Sequence, residues 1–313
     1  MSQCLICGQP CADAAGAYHT ACSKALFSSG KPPVFGYSWD QLNQMAEQIV
    51  RSRVAVPGVQ PKLSLHLEQT GRGTPGRLTL VGLQGGHILK PPTPDFPFLP
   101  ESEHFCMTFA RLARIETVDF GLIRIASGEL AYLTRRMDRT PQGPLHLEDF
   151  CQLTDKLTEQ KYRGSMEQVG KALRRFSSIP GFDALRLFEL TLFCFLTGNS
   201  DMHLKNFSLL RRPDGSLRLA PAYDLVPVAL LLPADTEELA LTLNGRKARL
   251  TRADFQAFGH SLGLNDTQLR NAFRRLLSAT SGTLAAALDR SFLPADQRGA
   301  FEQLFQARLQ RIA

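Results

Sequence analysis

From Asp183 to Leu196 the chain is apolar on nearly every side of a helix. A helix of that composition cannot face water and must run through the interior of a domain. It is expected to end at Gly198-Asn199, residues that let a chain leave a helix through a left-handed turn. The loop beyond crowds polar groups together, Asn199, Asp201, His203, Lys205 and Asn206, before a second apolar stretch from Phe207 to Leu210. A polar loop pinned between two buried elements is a rigid place to present reactive groups.

The spacing inside that loop is specific. Asp201 and Asn206 stand as D-x-x-x-x-N, and Asp224 follows a short hairpin whose turn is Arg211 to Ser216, with Asp214-Gly215 as its turn signal. Phosphoryl transfer needs a carboxylate that orients and deprotonates a hydroxyl, and oxygen ligands that hold Mg²⁺ against nucleotide phosphates. Asp201 suits the first task, and Asn206 and Asp224 suit the second. The same spacing, with a metal-binding aspartate after a hairpin, marks protein-kinase catalytic loops.

The run Gly198-Asn-Ser-Asp-Met-His-Leu-Lys-Asn-Phe-Ser-Leu-Leu210, with Leu219-Ala-Pro-Ala-Tyr-Asp-Leu-Val-Pro227, resembles the catalytic signature of the HipA family. These are bacterial serine/threonine kinase toxins of toxin–antitoxin systems. Gly58-Val-Gln-Pro-Lys-Leu-Ser-Leu65, Ile88-Leu-Lys-Pro91 and Glu101-Ser-Glu-His-Phe-Cys-Met107 agree, in the right order. The resemblance implies an α+β, bilobal kinase-like fold with a mostly antiparallel β N-lobe and a helical C-lobe. Residues 31–137 would form the N-lobe and 138–313 the C-lobe, after an N-terminal segment of residues 1–30. Only about fifty residues precede the Gly-rich bend, which matches the shortened, HipT-like form whose N-terminal subdomain is a separate small protein.

The resemblance also assigns roles. Asp201 would be the base, and Asn206 and Asp224 the Mg²⁺ ligands. Lys90 would clamp the ATP phosphates, a compact cation at the end of a strand. Glu103, in the first turn of a helix predicted over Glu101 to Ala113, either pairs with Lys90 or caps its own helix. Gly58, Val59, Gln60 and Lys62 would cover the phosphates. Arg135, Met137 and Asp138 would form the hinge for the base and ribose. His203 and Lys205 either stabilise the transition state or shape the loop. Many relatives carry Ser-Ile-x-Gly in the Gly-rich bend and are silenced by phosphorylation of that serine. Here Ala55-Val-Pro-Gly58 has no hydroxyl there, and restraint would fall to bound partners. The implied partners are HipS-like and HipB-like antitoxins, the latter giving an indirect DNA complex, and an aminoacyl-tRNA synthetase as substrate. A nucleotide-binding regulatory module without catalysis, and a small-molecule kinase on the same layout, stay open as alternatives.

The first residues form a separate motif. Cys4, Cys7, His19 and Cys22 read C-x2-C-x11-H-x2-C, the form of a tetrahedral structural zinc site, with Cys11 as an alternative to His19. With seven cysteines, three of them in apolar patterns, and no signal peptide or membrane-length apolar run, the expected compartment is the cytoplasm. A net charge of +7 from 36 basic and 29 acidic residues suits polyanionic partners. It lacks the basic–aromatic interleaving of a nucleic-acid surface.

The remaining pattern predicts a surface helix over Asp40 to Arg51, and a strand–turn–strand from Val54 to Leu67 bent at Pro57-Gly58. Strands are expected at Arg77 to Leu83 and His87 to Lys90, then a hairpin of Val118 to Ala126 with Glu129 to Met137. Helices follow over His146 to Thr154, from Ser165 as a cap, and over Thr251 to Leu262, Asp266 to Ala279 and Gly299 to Ile312. Glu238 to Leu243 reads as a strand or edge segment.

Overall fold

The computed structural model describes residues 2–11, 17–52, 61–68, 74–81 and 84–313. Ala55, Pro57, Gly58, Val59 and Gln60, where a bend is expected, lie outside these residues. The chain divides into two units. One comprises Met1–Phe105, Val118–Met137 and Leu288–Leu293; the other comprises Cys106–Thr117, Asp138–Ala287 and Pro294–Ala313.

The first unit opens with a small hairpin, β1 (Ser2–Gln3) against β2 (Pro10–Cys11), then helices α1 (Thr20–Phe27) and α2 (Trp39–Ser52). Five strands follow as one sheet: β3 (Leu63–Glu68), β4 (Arg77–Leu80), β5 (His87–Lys90), β6 (Phe120–Arg124) and β7 (Leu130–Arg135). Their order is β4-β3-β5-β7-β6 and every pairing is antiparallel. Alternation sets one face inward, so Leu63, Leu65, Leu78, Leu89, Ile123 and Leu133 form a core. Cys4, Ile6, Cys11, Leu26 and Phe27 belong to that same core. Gly121 on β6 makes this possible: a Cβ there would come within 2.7 Å of Ile6 Cγ1 and 3.1 Å of Leu26 Cδ2. Helix α3 (Leu99–Leu112) begins in this unit, and Ser102, Glu103, His104 and Phe105 are buried on it.

In the second unit the short strands β8 (Arg139–Thr140) and β9 (Gly143–Pro144) pair, and β10 (Leu147–Asp149) leads into the single-turn helix α4 (Phe150–Leu153). The expectation of one helix over His146 to Thr154 is corrected here. Asp149 accepts from Gln152 N while Gln152 accepts from Asp149 N, so the capping box starts the helix only at Phe150. The residues before it are extended because they pair with β11 (Ser208–Arg211), which in turn pairs with β12 (Leu217–Leu219).

Helix α5 (Met166–Phe176) starts at Ser165, whose hydroxyl accepts from Gln168 N at 3.2 Å. Helix α6 (Pro180–Thr197) is the apolar one, with twelve buried residues from Asp183 onward. It starts three residues before Asp183, with Pro180 in the first turn, where a missing N–H costs nothing. Asp183 is instead a buried anchor. It accepts from Ser177 Oγ at 2.6 Å, Leu219 N at 2.9 Å and Arg186 Nη1 at 3.2 Å. Around α6 the Phe193 ring meets Phe109, which meets Phe301 and Phe305, while Phe188 meets Phe258 and Phe273 and Phe195 meets Phe255.

The short α7 (Val228–Leu231) precedes α8 (Arg252–Ser261), α9 (Asp266–Asp289) and α10 (Ala295–Ile312). The last two begin earlier or run further than their apolar patterns suggest. Glu238 to Leu243 is not a strand. It is buried at Leu239, Ala240, Leu241 and Leu243 but turns straight back at Asn244-Gly245. Its ladder contacts are isolated bridges, Ser165 with Thr242 and Leu243 with Arg246. Among the described residues no helix is long and apolar enough to cross a membrane.

Candidate active site

Helix α6 ends as its glycine requires. Gly198 adopts φ +74°, and the amides of Gly198 and Asn199 bond back to Phe195 O and Cys194 O. A side chain here would also crowd Leu304 and Ala229. The exit places Asn199, 1% exposed, at the head of the polar loop, where its Oδ1 accepts from Asp201 N at 3.1 Å. The Asp201 carbonyl then accepts from His203 N at 2.8 Å and from Asn206 Nδ2 at 3.0 Å. Leu204–Asn206 form a single 3₁₀ turn, and Leu204 N donates to Lys161 O. The loop is therefore tied at three points by its own groups and at a fourth by the Lys161 carbonyl. That is the rigidity a reactive carboxylate needs to hold one geometry.

Because Asn206 donates inward through Nδ2, its amide oxygen is the group left for a cation. Lys205 turns away to Asp149 Oδ2 at 2.8 Å, the same carboxylate that caps α4. Of the two openings for Lys205, the geometry favours shaping the loop. Tyr223 locks the far side: its hydroxyl donates to Lys205 O at 2.9 Å and meets Ser208 Oγ at 2.6 Å. Burial pushes the Tyr223 phenol well above its ordinary range, so it stays a donor. The next residue, Asp224, is half-buried with φ +60°, a left-handed conformation rare outside glycine. Non-glycine residues held this way cluster at functional sites.

Two participants gain a role only from the structure. The Lys161-Tyr162 pair resembles a family element in sequence but carries no chemical role there, and Asp149 is not marked at all. Tyr162 donates its hydroxyl to Asp201 Oδ1 at 2.5 Å, and its ring meets the edge of His203 at 5.0 Å between centroids. Lys161 Nζ sits 5.0 Å from the centre of the same ring. Burial first, then the bond to Asp201 and the charges of Asp201 and Asp224, push the Tyr162 phenol upward. So Tyr162 remains protonated beside two carboxylates. Asp149 is the other. Its D-x-x-Q cap pattern was readable, but its meeting with Lys205 depends on the β10–β11 register.

Lys90 and Glu103 meet in the first unit. Lys90 Nζ lies 2.7 Å and 2.8 Å from the two Glu103 oxygens, with side-chain exposures of 5% and 1%. The lysine also sits 5.4 Å from the centre of the Tyr132 ring. Register explains it: Lys90 pairs with Tyr132 across β5–β7, and Glu103 stands in the buried face of α3. Lys62 is exposed just before β3. Arg135 reaches Ala25 O at 3.4 Å, Met137 is half-buried, and buried Asp138 accepts from Arg139 Nη1 at 2.6 Å. Cys4, Cys7, His19 and Cys22 form a separate group that could hold a metal ion, and Cys11 stands apart from it in β2.

Residues 54–284 match the family model described as the HipA-like C-terminal domain. A provisionally named kinase of Haemophilus influenzae is 29% identical over 239 residues, 68% of this chain and 68% of that protein. Y4mE of Sinorhizobium fredii, another provisionally named kinase, is 30% identical over 251 residues, 76% of this chain but 57% of the relative. The serine/threonine-protein kinase toxin HipA of Shewanella oneidensis is 29% identical over 203 residues, 57% of this chain and 44% of that one.

In structure the chain resembles Shewanella oneidensis HipA, solved with HipB and operator DNA. The TM-score is 0.68 at 22% identity, over 85% of this chain and 70% of that one. It also resembles the Helicobacter pylori proinflammatory kinase CtkA, with a TM-score of 0.55 at 16% identity, over 79% and 93% of the two chains. These likenesses make the fold α+β and kinase-like. With a family match over most of its length, the chain belongs to the HipA family.

Proposed function

We propose that this chain is an ATP- and Mg²⁺-dependent serine/threonine protein kinase acting as the toxin of a toxin–antitoxin system. The observation that carries the reading is the Asp201 loop, where a half-exposed carboxylate is held rigidly beside Asn206 and ahead of the left-handed Asp224. Asp201 takes the proton of the acceptor hydroxyl, and the Tyr162 hydroxyl holds the carboxylate in one orientation. Asn206 Oδ1 and the Asp224 carboxylate would hold Mg²⁺, which supplies charge neutralisation at the phosphates when bound. Lys90, presented by Glu103, would take the α- and β-phosphates. Lys62 with the Gly58–Gln60 bend, and Arg135 to Asp138, would contact the rest of ATP. His203 meets the Tyr162 ring edge-on and would be the loop's candidate for sharing the transition-state charge.

Partners follow by analogy with HipA of Shewanella oneidensis, whose structure contains HipB and operator DNA. A HipB-like protein, and through it DNA, and a HipS-like protein would restrain this kinase in the cytoplasm. An aminoacyl-tRNA synthetase is the substrate class we propose. Purified protein incubated with labelled ATP, Mg²⁺ and a bacterial lysate is expected to label one dominant protein of synthetase size on serine or threonine. Label on small molecules alone would point to a small-molecule kinase. No transfer, despite saturable ATP binding, would leave a regulatory module.

Tyr162→Phe provides a finer check. Phenylalanine keeps the ring against His203 but loses the bond to a charged partner, worth about 1.5 kcal/mol, or roughly tenfold in turnover. Equal rates in the two proteins would reduce the Tyr162–Asp201 contact to a structural one.

A further inference from the structure

The four N-terminal ligand-type residues play no part in the phosphoryl chemistry, yet they converge. The three sulfurs and His19 Nδ1 all lie within 4.8 Å of one another. Four-coordinate zinc with Zn–S bonds near 2.3 Å has ligand–ligand edges of about 3.8 Å. Cys7 Sγ lies 3.3 Å and Cys22 Sγ 3.8 Å from His19 Nδ1.

The surroundings are also those of a metal site. His19 Nε2 lies 3.0 Å from Pro10 O, and a carbonyl can only accept, so Nε2 carries the hydrogen. In the neutral imidazole, the form that binds metal, this leaves the Nδ1 lone pair on the side of the sulfurs, the arrangement in which a backbone carbonyl orients a metal-bound histidine. The His19 amide donates to Cys4 Sγ at 3.4 Å. Gly8 N donates to Cys4 O and Cys4 N to Gln9 O, folding the Cys4–Cys7 pair into a tight turn. All four groups come from the protein, so no coordination position stays open for water or substrate. The site is structural.

What it supports is visible in the chain between its ligands. Leu5 O accepts from Leu122 N at 2.7 Å, on the edge strand β6. Ile6 O accepts from His104 Nε2 at 3.0 Å. His104 is fully buried, edge-on to Phe120 and Phe292, and it follows Glu103 directly in α3. Tyr18, between the two ligand pairs, donates to Leu122 O at 2.9 Å. The turn held by Cys4 and Cys7 is therefore bonded to the helix that presents Glu103 to Lys90.

We propose that Cys4, Cys7, His19 and Cys22 hold one zinc ion, and that this ion braces α3, and with it Glu103, through the Ile6 carbonyl. Its bearing on catalysis rests on Lys90 and Glu103 serving a nucleotide, as proposed above. Without the ion, the three thiols and the imidazole are joined only by weak sulfur hydrogen bonds and the backbone of the turn. The Ile6 carbonyl then loses its fixed position and α3 loses a buried acceptor.

The test uses the whole chain purified without chelator, elemental analysis for zinc, and native-state hydrogen exchange across residues 99–112. About one zinc per chain is expected, and it should be lost in the Cys7→Ser/Cys22→Ser variant. Chelation of the wild-type protein should speed exchange in α3 by about tenfold, reversibly on adding zinc back. Should the variant fail to fold, Co²⁺ exchanged into the wild-type protein still reports the site, through thiolate-to-cobalt charge transfer and tetrahedral absorption bands. Absence of both zinc and the cobalt spectrum overturns the site. Zinc present, with α3 exchange unchanged on its removal, overturns the bracing. Neither readout needs phosphoryl transfer, so a chain that binds zinc and couples it to α3 but transfers no phosphate fails only the kinase reading.

Discussion

Asp201→Asn is expected to lower phosphoryl transfer by about 10²–10⁴-fold, the usual cost of losing a general base, while ATP still binds. Asparagine is nearly the same size, and the bonds that tie the loop come largely from groups it leaves alone. The residue-201 carbonyl still accepts from His203 N and Asn206 Nδ2, and its amide still meets Asn199 Oδ1. What disappears is the charged oxygen that accepts from Tyr162. An amide cannot take up a proton at neutral pH, so the hydroxyl nucleophile is no longer activated. Single-turnover transfer measured beside equilibrium nucleotide binding separates the two effects. A wild-type rate in the variant would remove Asp201 from the reaction.

Glu103→Ala should cost about 3–5 kcal/mol of stability, because it removes the carboxylate that holds the buried Lys90 ammonium through both oxygens. The pair has only a few per cent of its surface in water, so solvent screens it little. Urea unfolding of the variant would register the loss as a lower midpoint with an unchanged slope. A Lys90→Met/Glu103→Leu variant should regain most of it, since apolar groups of similar volume avoid the desolvation cost altogether. That double variant should nevertheless bind ATP poorly. If it bound ATP as the wild type does, Lys90 would have no part in the nucleotide site.

Much of this was legible along the chain because the relevant forces are local. The short apolar run from His87 to Lys90 stops at two prolines, and β5 has those limits. The loop after α6 announces itself through a largely apolar helix ended by glycine and asparagine. Contacts set by register or by distant turns were not legible. Nothing near Tyr162 in sequence says that its hydroxyl meets a carboxylate 39 residues on. The zinc-type cluster could be read from spacing, but the choice of His19 over Cys11 needed the β1–β2 hairpin, which engages Cys11 with Ser2. Of the two readings of Glu238 to Leu243, strand or edge segment, the strand fails for the opposite reason. Its pattern suits a strand, but a strand exists only where a neighbour offers a continuous edge, and here the chain found isolated bridges.

Asp224 carries a consequence for how this position can vary over time. Its φ of +60° suits glycine, and asparagine or aspartate at modest cost, while alanine or glutamate would strain the turn. If the same position must present a charged oxygen, glycine and asparagine fall away as well. Two unrelated filters, one on backbone shape and one on charge, overlap at a single amino acid. A drifting lineage therefore has no neutral stepping stone here: the neighbours that preserve the turn discard the charge, and glutamate, which preserves the charge, bends the turn.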